Sequence, residues 1–337
     1  MGNSSLKIVI PMAGYGTRLR PHTWSRPKQL MRMADKLVID HLLDSFATIP
    51  DLSHAEFIFI IGYMGEKIEG YMHRAHPDLK VTYVQQPEMR GQSHAISLAR
   101  DFLGGPMLMV YADTLIETDY SFLSSETASA ITWVKAVPDP RRFGVAEVGA
   151  DGWVTHLIEK PGDVANNLAL VGGYYFKSSD DLLRAIDEQI QRKISLKGEY
   201  FLADAVNIML EHGLKMRTKS VDIWLDAGTP VDVLSTSRYL LEHGHSSSPD
   251  ALPGQNVVII PPVYIHPTAS VENSVIGPHV SIGADCKVDS CIIRDSIIED
   301  RSKVSNLNME HSLVGQDTHL QHRASTLNIG DQTELSL

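Results

Sequence analysis

From Ile265 onward an apolar residue returns every five or six positions: Ile265, Val271, Ile276, Ile282, Val288, Ile293, Ile298, Val304, Met309, Val314 and Leu320. Small and polar residues fill the intervals, as in Gly277-Pro278-His279 and Gly283-Ala284-Asp285. A segment that short cannot bury its apolar side alone, so successive segments must stack as rungs around one shared core. The alternative is a sandwich of ordinary strands, but those usually run longer. Few folds can use such a rhythm.

The chain before it keeps a different one. Leu6–Ile10, Phe57–Ile61, Val81–Val84 and Pro106–Tyr111 are short apolar runs of strand length, while Leu37–Thr48, Gly65–His76 and Ser93–Leu103 read as helices. Strands alternating with helices predict a doubly wound, mainly parallel α/β sheet, whose ligands sit beyond the carboxyl ends of the strands. Ser235–His243 predicts a closing helix, and Gly244–Pro253 is a linker by composition. The expected division is 1–243, a linker over 244–256, and the repeat region over 257–337.

The net charge of −11 argues against a nucleic-acid surface, although Arg18, Arg20, Arg26 and Lys28 form a local basic cluster that can receive an anion. Two cysteines, Cys286 and Cys291, are too few for a disulfide framework and read as small core residues. No apolar run reaches membrane-spanning length and the first residues lack a signal-peptide core, so a cytoplasmic setting is expected.

Chemistry concentrates in the first loop. The apolar run ending at Ile10 breaks into Ala13-Gly14-Tyr15-Gly16-Thr17-Arg18. Glycines there let backbone N–H groups converge on an anion, most often phosphate. Arg18 adds a planar charged fork and Lys28 a mobile point charge. The third glycine of a dinucleotide fingerprint is missing, since Leu19 stands in its place, and no Walker A string occurs. The full pattern GxGTRLxPxTxxxPK, from Gly14 to Lys28, resembles the signature loop of the sugar-phosphate nucleotidylyltransferases, with Lys36-Leu37 departing from the usual Lys-Pro that follows.

That resemblance implies a Rossmann-like, GT-A type domain followed by a left-handed β-helix of imperfect hexapeptide repeats. It places Ala13, Gly14, Gly16 and Thr17 on the nucleotide, with Gln86, Pro87 and Gly91 of Gln86-Pro87-x-x-x-Gly91 reading a uracil or thymine edge. Asp113, at the end of a strand, and Asp226, in Trp224-Leu225-Asp226-Ala227-Gly228-Thr229, match its metal pair, which implies Mg²⁺ as cofactor. Gly144, Glu159, Lys160, Val171, Gly173 and Tyr175 match its sugar-phosphate side. An ionised glutamate accepts from sugar hydroxyls and a lysine neutralises the phosphate.

The expected reaction is nucleotidyl transfer from dTTP or UTP to a sugar 1-phosphate, glucose 1-phosphate by resemblance, with Arg18, Lys28 and Asp113 as the catalytic set. The alternative is a non-catalytic, sugar-nucleotide-sensing subunit assembled through its β-helix. The repeat region offers His266, His279, His311, His319 and His322 as candidate bases, but it reads better as an oligomerisation or regulatory module, which predicts a homo-oligomer.

Overall fold

A computed structural model describes residues 5–247 and 256–323. Most of the expected linker, and the end of the expected repeat domain, lie outside the described residues. The chain divides into two compact units. The first holds the chain up to Met31 together with Leu37–Asp232; the second holds Arg32–Lys36 together with the chain from Val233 onward. By compactness the helix from Val233 onward groups with the second unit, which also takes a short excursion of the N-terminal chain.

The first unit is built on a nine-stranded sheet. Its strands are β1 (Lys7–Pro11), β2 (Glu56–Ile61), β3 (Val81–Gln85), β4 (Met107–Val110), β5 (Ala130–Ala136), β6 (Gly144–Val148), β7 (Val154–Glu159), β8 (Leu168–Phe176) and β9 (Met216–Ser220). The sheet order β7-β6-β8-β4-β1-β2-β3, with β5 on β8 and β9 on β5, makes the sheet mixed. Strands β3, β2, β1 and β4 are mutually parallel, as the alternation with helices predicts. Strand β8 runs antiparallel to β4, β5 and β6.

The parallel strands are apolar on both faces because helices cover them. Val9, Ile58, Met107 and Met109 join Ala95 and Ile96 of α3 (Gln92–Leu98), Ile186 of α4 (Ser179–Gln191) and Val206 of α5 (Leu202–Glu211) in one buried cluster. The first predicted helix is shorter than its apolar pattern: α1 spans Val38–Asp44, and α2 spans Gly65–Ala75. The closing helix starts earlier than expected, as α6 (Pro230–Glu242).

The second unit is a parallel β-helix. Val258–Ile259, Val275–Ile276, Ile292–Arg294 and Asn308–Glu310 stack as one parallel sheet, and two further four-stranded sheets complete the coil. Residues one coil apart are separated by 17 or 16 positions. The apolar rhythm read from the sequence is its core: Ile265, Val271, Ile276, Ile282, Val288, Ile293, Ile298, Val304 and Val314 are buried together, with Met309 and Leu320 packed against them. Cys286 and Cys291 lie in the same core as free thiols.

The polar residues between rungs have a conformational reason. Asn273, Ser290 and Asn306 form one column of corners with positive φ, His279, Asp295 and His311 a second, and Asp285, Arg301 and Asp317 a third. Asn and Asp tolerate the left-handed region better than other residues with a Cβ. At Gly277, with φ +110, a Cβ would stand 1.9 Å from the Ile260 carbonyl oxygen, so only glycine fits.

Candidate active site

The signature loop leaves β1 at Pro11, and the Met12 amide donates to the Ile60 carbonyl at 2.8 Å, which keeps the loop in register with β2. Motif residues without an obvious chemical role hold its shape. Leu19 is buried, and its amide donates to the Gly16 carbonyl at 3.0 Å. The Thr23 hydroxyl donates to the same carbonyl at 2.8 Å. Gly16 and Thr17 belong to this scaffold and are not among the residues lining the cavities described next, whereas Ala13 and Gly14 are.

Two adjoining cavities open beyond the strand ends, about 350 and 270 Å³ in volume. Gln92, Tyr111 and Asp113 line both and form their common wall. The first is bounded by the loop at Pro11–Gly14, by Lys28 and Gln29, and by Gln86, Met89 and Gly91. Gln86 is buried, and its amide nitrogen donates to the Gly91 carbonyl at 3.4 Å. Gly91 has φ +94, and a Cβ there would lie 2.4 Å from the Tyr200 carbonyl oxygen, so the turn can close only on glycine. Pro87 is exposed and lines neither cavity.

The second cavity receives Arg18, Arg142, Gly144, Glu159, Val171, Tyr174, Trp224 and Asp226. Asp226 arrives there because Trp224–Asp226 pairs antiparallel with Thr114–Ile116, directly after Asp113, and the Ala227 amide donates to the Asp113 carbonyl at 3.0 Å. Four charged groups thereby meet. Lys28 donates to a carboxylate oxygen of Asp113. Arg18 reaches over the turn at Gly228, its guanidinium 3.5 Å from where a Cβ there would stand.

The electrostatics are those of two acids competing for too few cations. Burial raises the Asp113 carboxyl, but the charge and hydrogen bond of Lys28, with Arg18 behind, outweigh this and hold it below its usual value. Burial, then repulsion from Asp113 and Asp232, pushes Asp226 up to about 6 against the opposing pull of Lys28 and Arg18. Such a pair, all oxygen and facing one cavity, is the donor set a hard divalent cation prefers.

The sugar-side expectations divide. Gly144, Glu159 and Val171 line the second cavity. Burial raises the Glu159 carboxyl, Lys160 opposes the rise, and Asp204 and Glu199 add to it. Lys160 has φ 50 and its ammonium lies 5.2 Å from the centre of the Phe201 ring, outside the residues lining either cavity. Tyr175 and Gly173 also lie off both linings: Tyr175 is buried, and Gly173 faces Trp133. The pairing of β8 with β5 shifts register between Leu170 and Tyr174, so Val171, Gly172 and Tyr174 reach the cavity where strict alternation would have offered Gly173 and Tyr175.

Two site residues escaped the sequence reading. Gln29 is 1% exposed and lines the first cavity, and among the described residues neither polar atom of its carboxamide has a partner. A buried carboxamide without partners is costly unless something else bonds it. The Trp224 indole N–H, in the second cavity, is likewise buried and unpartnered among the described residues. Gln29 directly follows the first motif and Trp224 opens another, but their burial is a tertiary fact.

A Rossmann-like sheet whose glycine loop, two cations and two carboxylates meet at a divided cavity defines a protein of nucleotidyl transfer. The nucleotidyl transferase family matches residues 7–243, and the chain belongs to that family, as its opening loop leads one to expect. Residues 259–332 match the GMPPB C-terminal domain. The glucose-1-phosphate thymidylyltransferase of Streptomyces griseus is 28% identical over 98% of this chain and 99% of its own length. The low-salt glycan biosynthesis nucleotidyltransferase Agl11 of Haloferax volcanii is 32% identical over 70% of this chain and 66% of its own. Among solved structures, a UDP-glucose pyrophosphorylase complexed with UDP-glucose shares the fold, with a TM-score of 0.61 at 21% identity over 71% of this chain and 100% of the other.

Proposed function

We propose that the chain transfers the nucleotidyl group of dTTP or UTP to a sugar 1-phosphate, with glucose 1-phosphate the first choice, and releases pyrophosphate. The observation that carries this is the common wall: Asp113 borders both cavities, with Lys28 in one and Arg18 and Asp226 in the other. The first cavity would take the base and ribose and the second the sugar, which would bring their phosphates together at the charged seam.

A phosphate oxygen of the sugar phosphate attacks the α-phosphorus, the bond to the β-phosphate breaks, and pyrophosphate departs in line. Phosphate is already a nucleophile, so no general base is needed and the work is positioning and charge neutralisation. Lys28 would exchange Asp113 for the α-phosphate, Arg18 would hold the departing phosphates, and Lys160 would swing from Phe201 to the acceptor phosphate. Asp113 and Asp226 would hold Mg²⁺, which when bound supplies Lewis-acid polarisation of the phosphates. Gln29 and Gln86 would pair with the nucleotide, and Glu159 with sugar hydroxyls.

The β-helix as a homo-oligomer contact and a cytoplasmic setting belong to the same proposal. Among the described residues no helix is long and apolar enough to cross a membrane. The test is pyrophosphate release across a matrix of nucleoside triphosphates and sugar 1-phosphates with Mg²⁺. Turnover with a pyrimidine nucleotide and a hexose 1-phosphate is expected; binding of sugar nucleotide with no turnover for any pair would overturn the proposal in favour of a sensing subunit.

A further inference from the structure

The wall common to both cavities is made by Gln92, Tyr111 and Asp113, all within the first unit. Two of the three are already engaged. Asp113 accepts from Lys28, and the Tyr111 ring packs over Gly172, where a Cβ would stand 2.5 Å from it. Gln92 is different. Its carboxamide oxygen is buried and has no hydrogen-bond partner among the described residues.

The local chain gives that oxygen no means of escape. Gln92 opens α3, and the backbone on either side of it is pinned to the segment Tyr200–Phe201. Before it, the Tyr200 amide donates to the Arg90 carbonyl at 2.9 Å, and Gly91 closes against the same residue with no room for a Cβ. After it, the Ser93 amide donates to the Tyr200 carbonyl at 3.1 Å and the Ser93 hydroxyl to the Phe201 carbonyl at 3.1 Å. A buried acceptor left alone costs stability, and a fold retains one where a ligand completes it. The position limits what that ligand group can be. Phosphate oxygens only accept and offer a carbonyl oxygen nothing. Gln29 and Gln86 border the first cavity alone, whereas Gln92 stands where the two substrates adjoin. The groups that lie between a base and a hexose are hydroxyls, and a hydroxyl, which both donates and accepts, satisfies either end of a carboxamide.

We propose that Gln92 is a specificity-determining residue, whose carboxamide bonds a substrate hydroxyl at the junction of the two cavities, either the 2′-hydroxyl of the nucleotide's ribose or a hydroxyl of the sugar phosphate. The inference rests on the transfer reading above. A site built to bond a hydroxyl discriminates against the analogue that lacks it, because its own polar group is then left buried and alone. Gln92 in this way checks that the correct partner is present at the wall before the phosphates react.

The test compares Gln92→Leu with the parent, in the full chain, on substrates that differ by one hydroxyl. The nucleotide pairs are UTP against dUTP and ribothymidine triphosphate against dTTP; the sugar pairs are glucose 1-phosphate against its monodeoxy analogues. The parent is expected to favour the hydroxyl-bearing member of one kind of pair about tenfold or more in kcat/KM, and Gln92→Leu to bring that ratio within about twofold of unity. A collapse confined to the nucleotide pairs assigns the ribose, and one confined to a sugar pair assigns the acceptor. Gln92→Leu should melt at or above the parent's temperature, since it removes a buried polar atom that has no partner. Should Gln92→Leu fail to fold, Gln92→Met, unbranched as glutamine is, carries the same comparison. A parent that discriminates in no pair, or ratios that survive the substitution, would overturn this inference alone. A parent that turns over no pair would overturn the transfer reading beneath it, and the same ratios are then read in the dissociation constants of UDP-glucose and its deoxy counterparts.

Discussion

Gln29 shows what a side chain can cost the fold while serving the ligand. Its buried carboxamide has no partner among the described residues, a deficit of about 1–3 kcal/mol. Gln29→Leu should therefore leave thermal stability unchanged or slightly raised, while KM for the nucleotide rises about tenfold, the amount expected from the loss of one or two hydrogen bonds. A thermal melt and a nucleotide titration check the two halves separately. Lys28→Ala should cut kcat by about 10²–10³, as the loss of one preorganised charge does elsewhere. At this scale the sequence was informative where a motif fixes the backbone. Gly91, Asp113 and Asp226 line the cavities, and their motifs could be read locally because glycine turns and strand ends are local properties. Tyr175 and Gly173 lie off both linings, because the register of β8 shifts against its neighbour β5.

Among the elements, the edge where β1 meets β2 carries a pH-sensitive clasp. Glu56 bonds Lys7 at 2.7 Å and Lys80 at 3.1 Å, and these hydrogen bonds, with help from Ser5, hold its carboxyl down at about 2 against the opposing effect of burial. A depressed carboxyl stabilises the fold above its ordinary value of 4.5 and loses that contribution as pH falls toward 2. The site is partly open to water, so the amount is no more than about 1 kcal/mol. Glu56→Gln should melt lower than the parent at pH 7 and at the same temperature near pH 2, which scanning calorimetry at both values would show. Helix ends were less legible than strands. α1 stops at Asp44 although apolar residues continue to Phe46, because those residues turn to fill the core beside Phe57 and Tyr120.

Across the whole molecule, the excess of acid and the basic seam pull a nucleotide in opposite directions. The charge of −11 is spread over the chain, whereas Arg18 and Lys28 stand at the cavities themselves. With a Debye length of about 8 Å at physiological ionic strength, the distant acids are screened and the near cations decide. Raising salt from about 0.05 to 0.5 M, which shortens the Debye length further, should increase KM for the nucleotide several-fold, and Arg18→Gln should flatten that dependence. The two-unit plan and the β-helix core were plain in the spacing of apolar residues. The hairpin that crosses from one unit to the other was not, since its strands, Arg32–Met33 and Lys36–Leu37, are too short to leave a pattern.

The left-handed corners of the coil have a further consequence. A residue that sits at Asn306, Asp285 or Ser290 is selected for a backbone posture and projects away from the core. Glycine enters that posture freely, so Asp285→Gly should be nearly silent in stability whereas Val288→Gly, one half-rung on, should be ruinous. The coil's perimeter is therefore open to drift, and recognition surfaces written there can be rewritten without disturbing the column inside.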